Sequence, residues 1–209
     1  MNEGLVARAL RLVAAFATLS IPMTATSGPI VLQFQGTITF AIGSPLGITT
    51  ADMLTGSYAF EPTTDDAVPL DPVLGFFNGA LTSLTVSIGG NIWTLGAFDS
   101  IAVHNNNLGS DRYIAKSSML VGPQFDNLSP GFEVNLADPT ESALNSDALV
   151  VPDFTKFSST VWSLVFSDSS FILGQLTALS PQSHVAEPAT LVLLGLGLAG
   201  LGPIRRKRA

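Results

Sequence analysis

Between Val31 and Gly43 the chain reads VLQFQGTITFAIG, with Leu32, Phe34, Ile38, Phe40 and Ile42 apolar and Gln33, Gln35, Thr37 and Thr39 polar between them. Alternation with period two predicts a half-buried strand. The pattern recurs at Leu54, Tyr58 and Phe60, and again at Leu84, Val86 and Ile88. Gly89-Gly90-Asn91 then precedes an apolar run from Ile92 to Leu95, which predicts a tight hairpin. Further strands are expected over residues 98–103, 111–121, 132–136, 160–167 and 171–179, with turn-rich stretches at 61–74 and 136–146. About nine or ten strands with few helical signals imply a mainly β fold, an antiparallel β-sandwich or jelly roll. Its core should include Phe34, Ile38, Phe40, Leu84, Val86, Trp162, Leu164 and Phe166. One short helix is expected near residues 142–149, and no repeat at solenoid spacing is present.

Charge changes this picture at the two ends. Of nine basic residues, Arg8, Arg11, Arg205, Arg206, Lys207 and Arg208 sit at the termini, leaving three in the middle against fourteen acids. Such an acidic domain repels phosphate backbones, which argues against nucleic-acid binding. The 209 residues contain no cysteine, which excludes disulfides, thiolate metal sites and cysteine nucleophiles. Two histidines, His104 and His184, leave little for a histidine-rich metal centre, and no cofactor is expected.

The N-terminus has the form of a general export signal. Arg8 and Arg11 precede the apolar run LVAAFATLSI at 12–21, Pro22 ends it, and cleavage after Ser27 would place Ala25 three positions before the cut. The C-terminus reads VAEPATLVLLGLGLAGLGPIRRKRA. Ala189 to Ile204 runs sixteen residues without a charge. As a helix it would measure about 24 Å, short of a hydrocarbon core of about 30 Å. Gly195, Gly197, Gly200 and Gly202 weaken it further. The basic cluster Arg205, Arg206, Lys207 and Arg208 should stay cytoplasmic, with the body of the protein on the far side of the inner membrane. The expected division is a signal peptide at 1–27, a β-sandwich domain at 28–180, a linker and sorting motif at 181–190, a membrane helix at 191–204 and a basic tail at 205–209.

This C-terminal segment resembles the PEP-CTERM sorting signal of Gram-negative bacteria: a short Val-Pro-Glu-Pro motif, a glycine-rich apolar stretch and an arginine cluster. Val185, Glu187, Pro188, Ala189 and Thr190 match the motif, and Ala186 stands where its first proline usually lies. The resemblance covers about 25 residues, Val185 to Ala209. It implies recognition and cutting by exosortase, a membrane-embedded protease-transpeptidase, and an association with exopolysaccharide and biofilm. The tail is also labelled an ice-binding protein C-terminal domain, which implies nothing about ice. Pro188 should hold Glu187 extended, as a cut beside the bilayer requires.

Other motifs carry less. Gly195-Leu-Gly197-Leu-Ala-Gly200 fits a dinucleotide fingerprint, but only nine residues follow it, too few for a βαβ unit. No G-x-S-x-G elbow occurs. His104 lies in HNNNLGSD and is expected in a loop; Asp65-Asp66 also reads as a solvated loop. Asp99, Asn105, Asn107 and Asp111 could supply oxygen ligands to calcium if one loop gathered them. Trp93 and Trp162 fall in strands, where core positions are commoner than sugar-binding ones. The expected protein is non-enzymatic: an exported surface or matrix protein, anchored transiently in the inner membrane and then carried at the cell surface or outside the cell. The alternatives are a secreted hydrolase acting on polysaccharide and a carbohydrate- or calcium-binding module.

Overall fold

In the computed structural model, which describes residues 28–43, 45–167 and 170–182, the period-two segments form nine antiparallel strands. They are β1 (Ile30–Ile42), β2 (Met53–Phe60), β3 (Leu74–Asn78), β4 (Leu81–Ile88), β5 (Asn91–Asn107), β6 (Ser110–Val121), β7 (Gly131–Asp138), β8 (Ser159–Ser167) and β9 (Ser170–Pro181). Short 3₁₀ turns at Pro45–Gly47 and Phe154–Lys156 complete the elements.

The strands form one sheet in the order β3-β5-β4-β2-β1-β9-β8-β7-β6, and β5 also pairs with β6. That extra ladder closes β5, β4, β2, β1, β9, β8, β7 and β6 into a barrel-like ring. The expected two-sheet sandwich or jelly roll is therefore replaced by a single closed sheet. Alternation reports which face is buried, and a barrel lumen and a sandwich core leave the same mark on it. The lumen is filled by side chains. Phe34 of β1 stacks on Phe132 of β7 with ring centroids 5.6 Å apart, and Phe132 reaches Trp162 at 6.4 Å. Tyr58 of β2 meets Tyr113 of β6, hydroxyl to hydroxyl, at 3.4 Å. Each of the Phe34–Phe132 and Tyr58–Tyr113 contacts joins strands that are not neighbours, so it crosses the lumen.

Two local devices shape the wall. Trp162 lies inside and donates its indole N–H to the Thr37 carbonyl at 3.2 Å. Gly36 and Gly174 make room for it: a Cβ on Gly36 would come within 2.8 Å of the indole nitrogen, and one on Gly174 would strike both that ring and the Thr37 carbonyl. On β5, residues 91–94 pair with β4 and residues 100–104 pair with β3 along the same edge. Between them β5 shifts register against β6, and Phe98 takes a left-handed φ of 59° and stands 75% exposed. Asp99 closes the gap, its carboxylate accepting from Leu81 N at 2.9 Å and its carbonyl from Gly79 N at 3.1 Å.

The Gly89-Gly90 hairpin forms as expected, with Ile88 opposite Asn91 and φ of 55° and 82° at the two glycines. Of the expected core, Phe34, Ile38, Leu84, Val86, Trp162, Leu164 and Phe166 are buried, and so is Trp93. Phe40 is 53% exposed, because the β1–β9 ladder shifts register between Ile38 and Phe40 and turns the next side chain outward. β3 begins inside the stretch expected to be turns. No helix forms at residues 142–149. Asp138 and Asp111 instead take the backbone N–H groups of Thr140, Ser142 and Leu144, which commits that segment to turns. Among the described residues no helix is long and apolar enough to cross a membrane. The expected signal peptide at 1–27 and membrane helix at 191–204 lie outside the described residues.

Candidate functional site

Antiparallel order places both ends of the domain side by side. Leu32 near the start of β1 lies opposite Pro181 at the end of β9, and Gln182 N donates to the Val31 carbonyl at 2.8 Å. The same end of the barrel carries the β2–β3 loop (61–73), the tip of the β5–β6 hairpin (108–109) and the β7–β8 connection (139–158). The opposite end carries the β1–β2, β4–β5, β6–β7 and β8–β9 connections.

Buried carboxylates organise the terminus-bearing end. Asp111 and Asp138 are cross-strand partners on β6 and β7, and both are buried on the lumen face. Asp111 accepts from Asn106 N and from Leu144 N, each at 2.8 Å, which joins the hairpin to the β7–β8 connection. Asp138 accepts from the backbone N–H and hydroxyl of both Thr140 and Ser142 at 2.8–3.1 Å. The Ser142 and Thr140 N–H groups, with the Thr140 hydroxyl, hold its carboxyl well below the usual carboxylate range. Its own loop, rather than depth in the core, shields it from water. Asp66 accepts from Val68 N and Phe76 N, both at 2.9 Å, so it pins the 61–73 loop to β3 instead of standing free in solvent as expected.

His104 belongs to β5, not to a loop: it lies opposite Leu74 of β3 and Arg112 of β6. Burial first, and then the Arg112 charge, lower its pKa against the opposing pull of Asp71, so the imidazole is neutral at pH 7. The four expected calcium ligands are not gathered. Asp99 lies opposite Ser117 and serves Leu81 N, whereas Asp111 serves Asn106 N and Leu144 N further along the hairpin. Among the described residues no group of three or more His, Cys, Asp or Glu is placed to hold a metal ion. The buried Asp111–Asp138 pair escaped the sequence reasoning, although its signal was present. Asp111 is in phase with Tyr113 and Ala115, and Asp138 with Phe132, Val134 and Leu136.

The expected sorting residues Val185, Glu187, Pro188, Ala189 and Thr190, the basic cluster Arg205, Arg206, Lys207 and Arg208, and the cleavage residues Ala25 and Ser27 all lie outside the described residues. What the structure shows of that region is its point of departure, at Gln182 beside Val31. From Gln182, two residues precede a match of the chain to the family model described as PEP-CTERM protein-sorting motif, which covers residues 185–208. No curated protein and no solved structure matches the chain.

Proposed function

From a C-terminal segment that is a PEP-CTERM protein-sorting motif, which implies export and handling by exosortase at the membrane, we propose a three-stage life for this protein. The chain crosses the inner membrane on its N-terminal signal and loses it after Ser27. The apolar stretch 191–204 then holds it in the bilayer, with Arg205 to Arg208 on the cytoplasmic side. Exosortase cuts close to Val185–Thr190 and releases a β-barrel domain to the cell surface or the extracellular matrix, where it associates with exopolysaccharide without catalysing a reaction.

The observation that carries this reading is that the described barrel reaches residue 182 just ahead of the motif. β9 is hydrogen-bonded to β1 as far as Pro181, Gln182 N bonds to the Val31 carbonyl, and the matched segment starts at residue 185. All nine described strands lie N-terminal to the motif, so a cut there removes none of them. A non-catalytic role is supported by the use made of the facing carboxylates Asp111 and Asp138, whose oxygens are occupied by loop N–H and hydroxyl groups. A glycosidase pair needs both carboxyls open to a sugar.

Mass spectrometry of the protein from its native host tests the scheme. The expected mature chain begins near Gly28 and ends near Glu187. Recovery of the secreted protein with residues 188–209 intact would refute processing, and a full-length soluble cytosolic chain would refute export.

A further inference from the structure

The terminus-bearing end of the barrel displays two large aliphatic side chains wholly to solvent. Leu108, at the tip of the β5–β6 hairpin, is 100% exposed, and Leu70, in the 61–73 loop, is 97% exposed. Single exposed leucines are ordinary on protein surfaces; the backbone under Leu108 is not. Asn107 pairs with Ser110, and the two residues between them have φ of 53° at Leu108 and 78° at Gly109. A two-residue turn with both φ positive favours Asn-Gly, and leucine at its first position is sterically costly. The fold gains no packing from this leucine, so its presence points outward. Leu70 stands on the neighbouring tip: Asn105 N donates to the Val73 carbonyl at 3.0 Å, three residues from each leucine.

Six residues, 183–188, separate Gln182 from the apolar run that begins at Ala189. Fully extended they reach about 20 Å. We infer that Leu70 and Leu108 are a membrane-contacting edge, which dips into the headgroup region of the bilayer that holds the uncut tail. This rests on the tethered stage proposed above. A bilayer fits better than a second copy, because the short tether keeps both loop tips at the membrane. Two leucines bind a bilayer weakly by themselves, but a short tether supplies an effective concentration in the millimolar range. The contact therefore lasts only while the tail is attached, and cutting frees the domain. Asp65, Asp66 and Asp71 share the 61–73 loop and Glu141 of the β7–β8 connection lies beside Gly109, so the edge suits zwitterionic headgroups and is repelled by anionic ones.

The cysteine-free sequence makes the test direct. Single L70C, L108C and V121C variants of the full chain, Val121 lying at the opposite end, are labelled with an environment-sensitive fluorophore. Each is reconstituted into phosphatidylcholine vesicles carrying spin-labelled lipid, and flotation reports membrane association. The expected result is quenching at positions 70 and 108 at least twofold stronger than at 121. L108D should at least halve the quenching at 70, and anionic lipid should weaken it. Equal quenching at all three positions in floated vesicles would overturn the membrane edge and leave the tethered stage standing. Self-quenching between labels at 108 would overturn it in favour of a second copy. Failure of the full chain to float would overturn both readings.

Discussion

Replacing Asp111 by asparagine tests whether the buried carboxylate pair stabilises the terminus-bearing end or burdens it. The two effects have opposite signs. Directly opposed Cα atoms on antiparallel strands lie about 5 Å apart. Two carboxylates at a similar separation repel by under about 1 kcal/mol in water, and by more where water is excluded. Against this, Asp111 holds two backbone N–H groups at 2.8 Å. Hydrogen bonds to a charged acceptor contribute about 1.5–3 kcal/mol each. Asparagine removes the repulsion, keeps one acceptor and turns an N–H₂ toward the other donor, either Asn106 N or Leu144 N. The bonds outweigh the repulsion, and Asp111→Asn should lower stability by about 1–3 kcal/mol. Urea unfolding followed by circular dichroism measures the loss, and amide hydrogen exchange should accelerate at Leu144 and Asn106. If the variant matched or exceeded the parent in stability, with exchange at Leu144 unchanged, the carboxylate would not be what ties the hairpin to the β7–β8 connection.

Other perturbations have equally definite outcomes. Gly174→Ala forces a methyl into the Trp162 ring and the Thr37 carbonyl, and should cost about 1–3 kcal/mol as overpacking, read as a lower urea midpoint; an unchanged midpoint would mean that the wall yields there. Tyr58 and Tyr113 are the only tyrosines, and burial raises the pKa of both. Their contribution to stability is complete below the unfolded tyrosine pKa of about 10 and is lost as pH rises beyond it. Ionisation at 295 nm should therefore coincide with alkaline unfolding, and smooth titration near pH 10 in a folded protein would contradict it. The lowered pKa of Asp138 has the opposite sign: its contribution is present above the unfolded value of about 3.9 and is lost as pH falls below that. Asp138→Asn should flatten the acid limb of the stability curve, and an unaltered limb would count against the loop clamp. Phe98→Asn relieves a left-handed aromatic residue that is mostly exposed, and should raise stability by about 0.5–1 kcal/mol; a lower thermal midpoint would show that the ring contributes packing.

Strand identity was legible wherever alternation was clean, because a side chain in a strand has only two directions to face. β1, the Gly89-Gly90 hairpin and β6 to β9 follow from that rule. Closure was not legible: the β5–β6 ladder that converts a sheet into a ring is a pairing choice, and alternation does not record partners. Phe40 was misplaced for a related reason, since one inserted residue reverses the parity of everything after it. The absent helix at 142–149 reflects a competitor encoded elsewhere, in Asp111 and Asp138, whose oxygens take the N–H groups a helix would need. The sorting motif was readable because its information is linear: a short ordered series of residue types at one end of the chain. The loop tips at Leu70 and Leu108 carry no such linear mark, and only topology brings them to one end.

The seam between Val31 and Gln182 also sets a clock. β1 finds one partner, β2, next in sequence, but its other partner, β9, lies some 150 residues away, so the ring must wait for nearly the whole domain before it can shut. Pairings this distant in sequence make assembly slow. If the tail detains the chain at the membrane as proposed above, the barrel gains time to close before release.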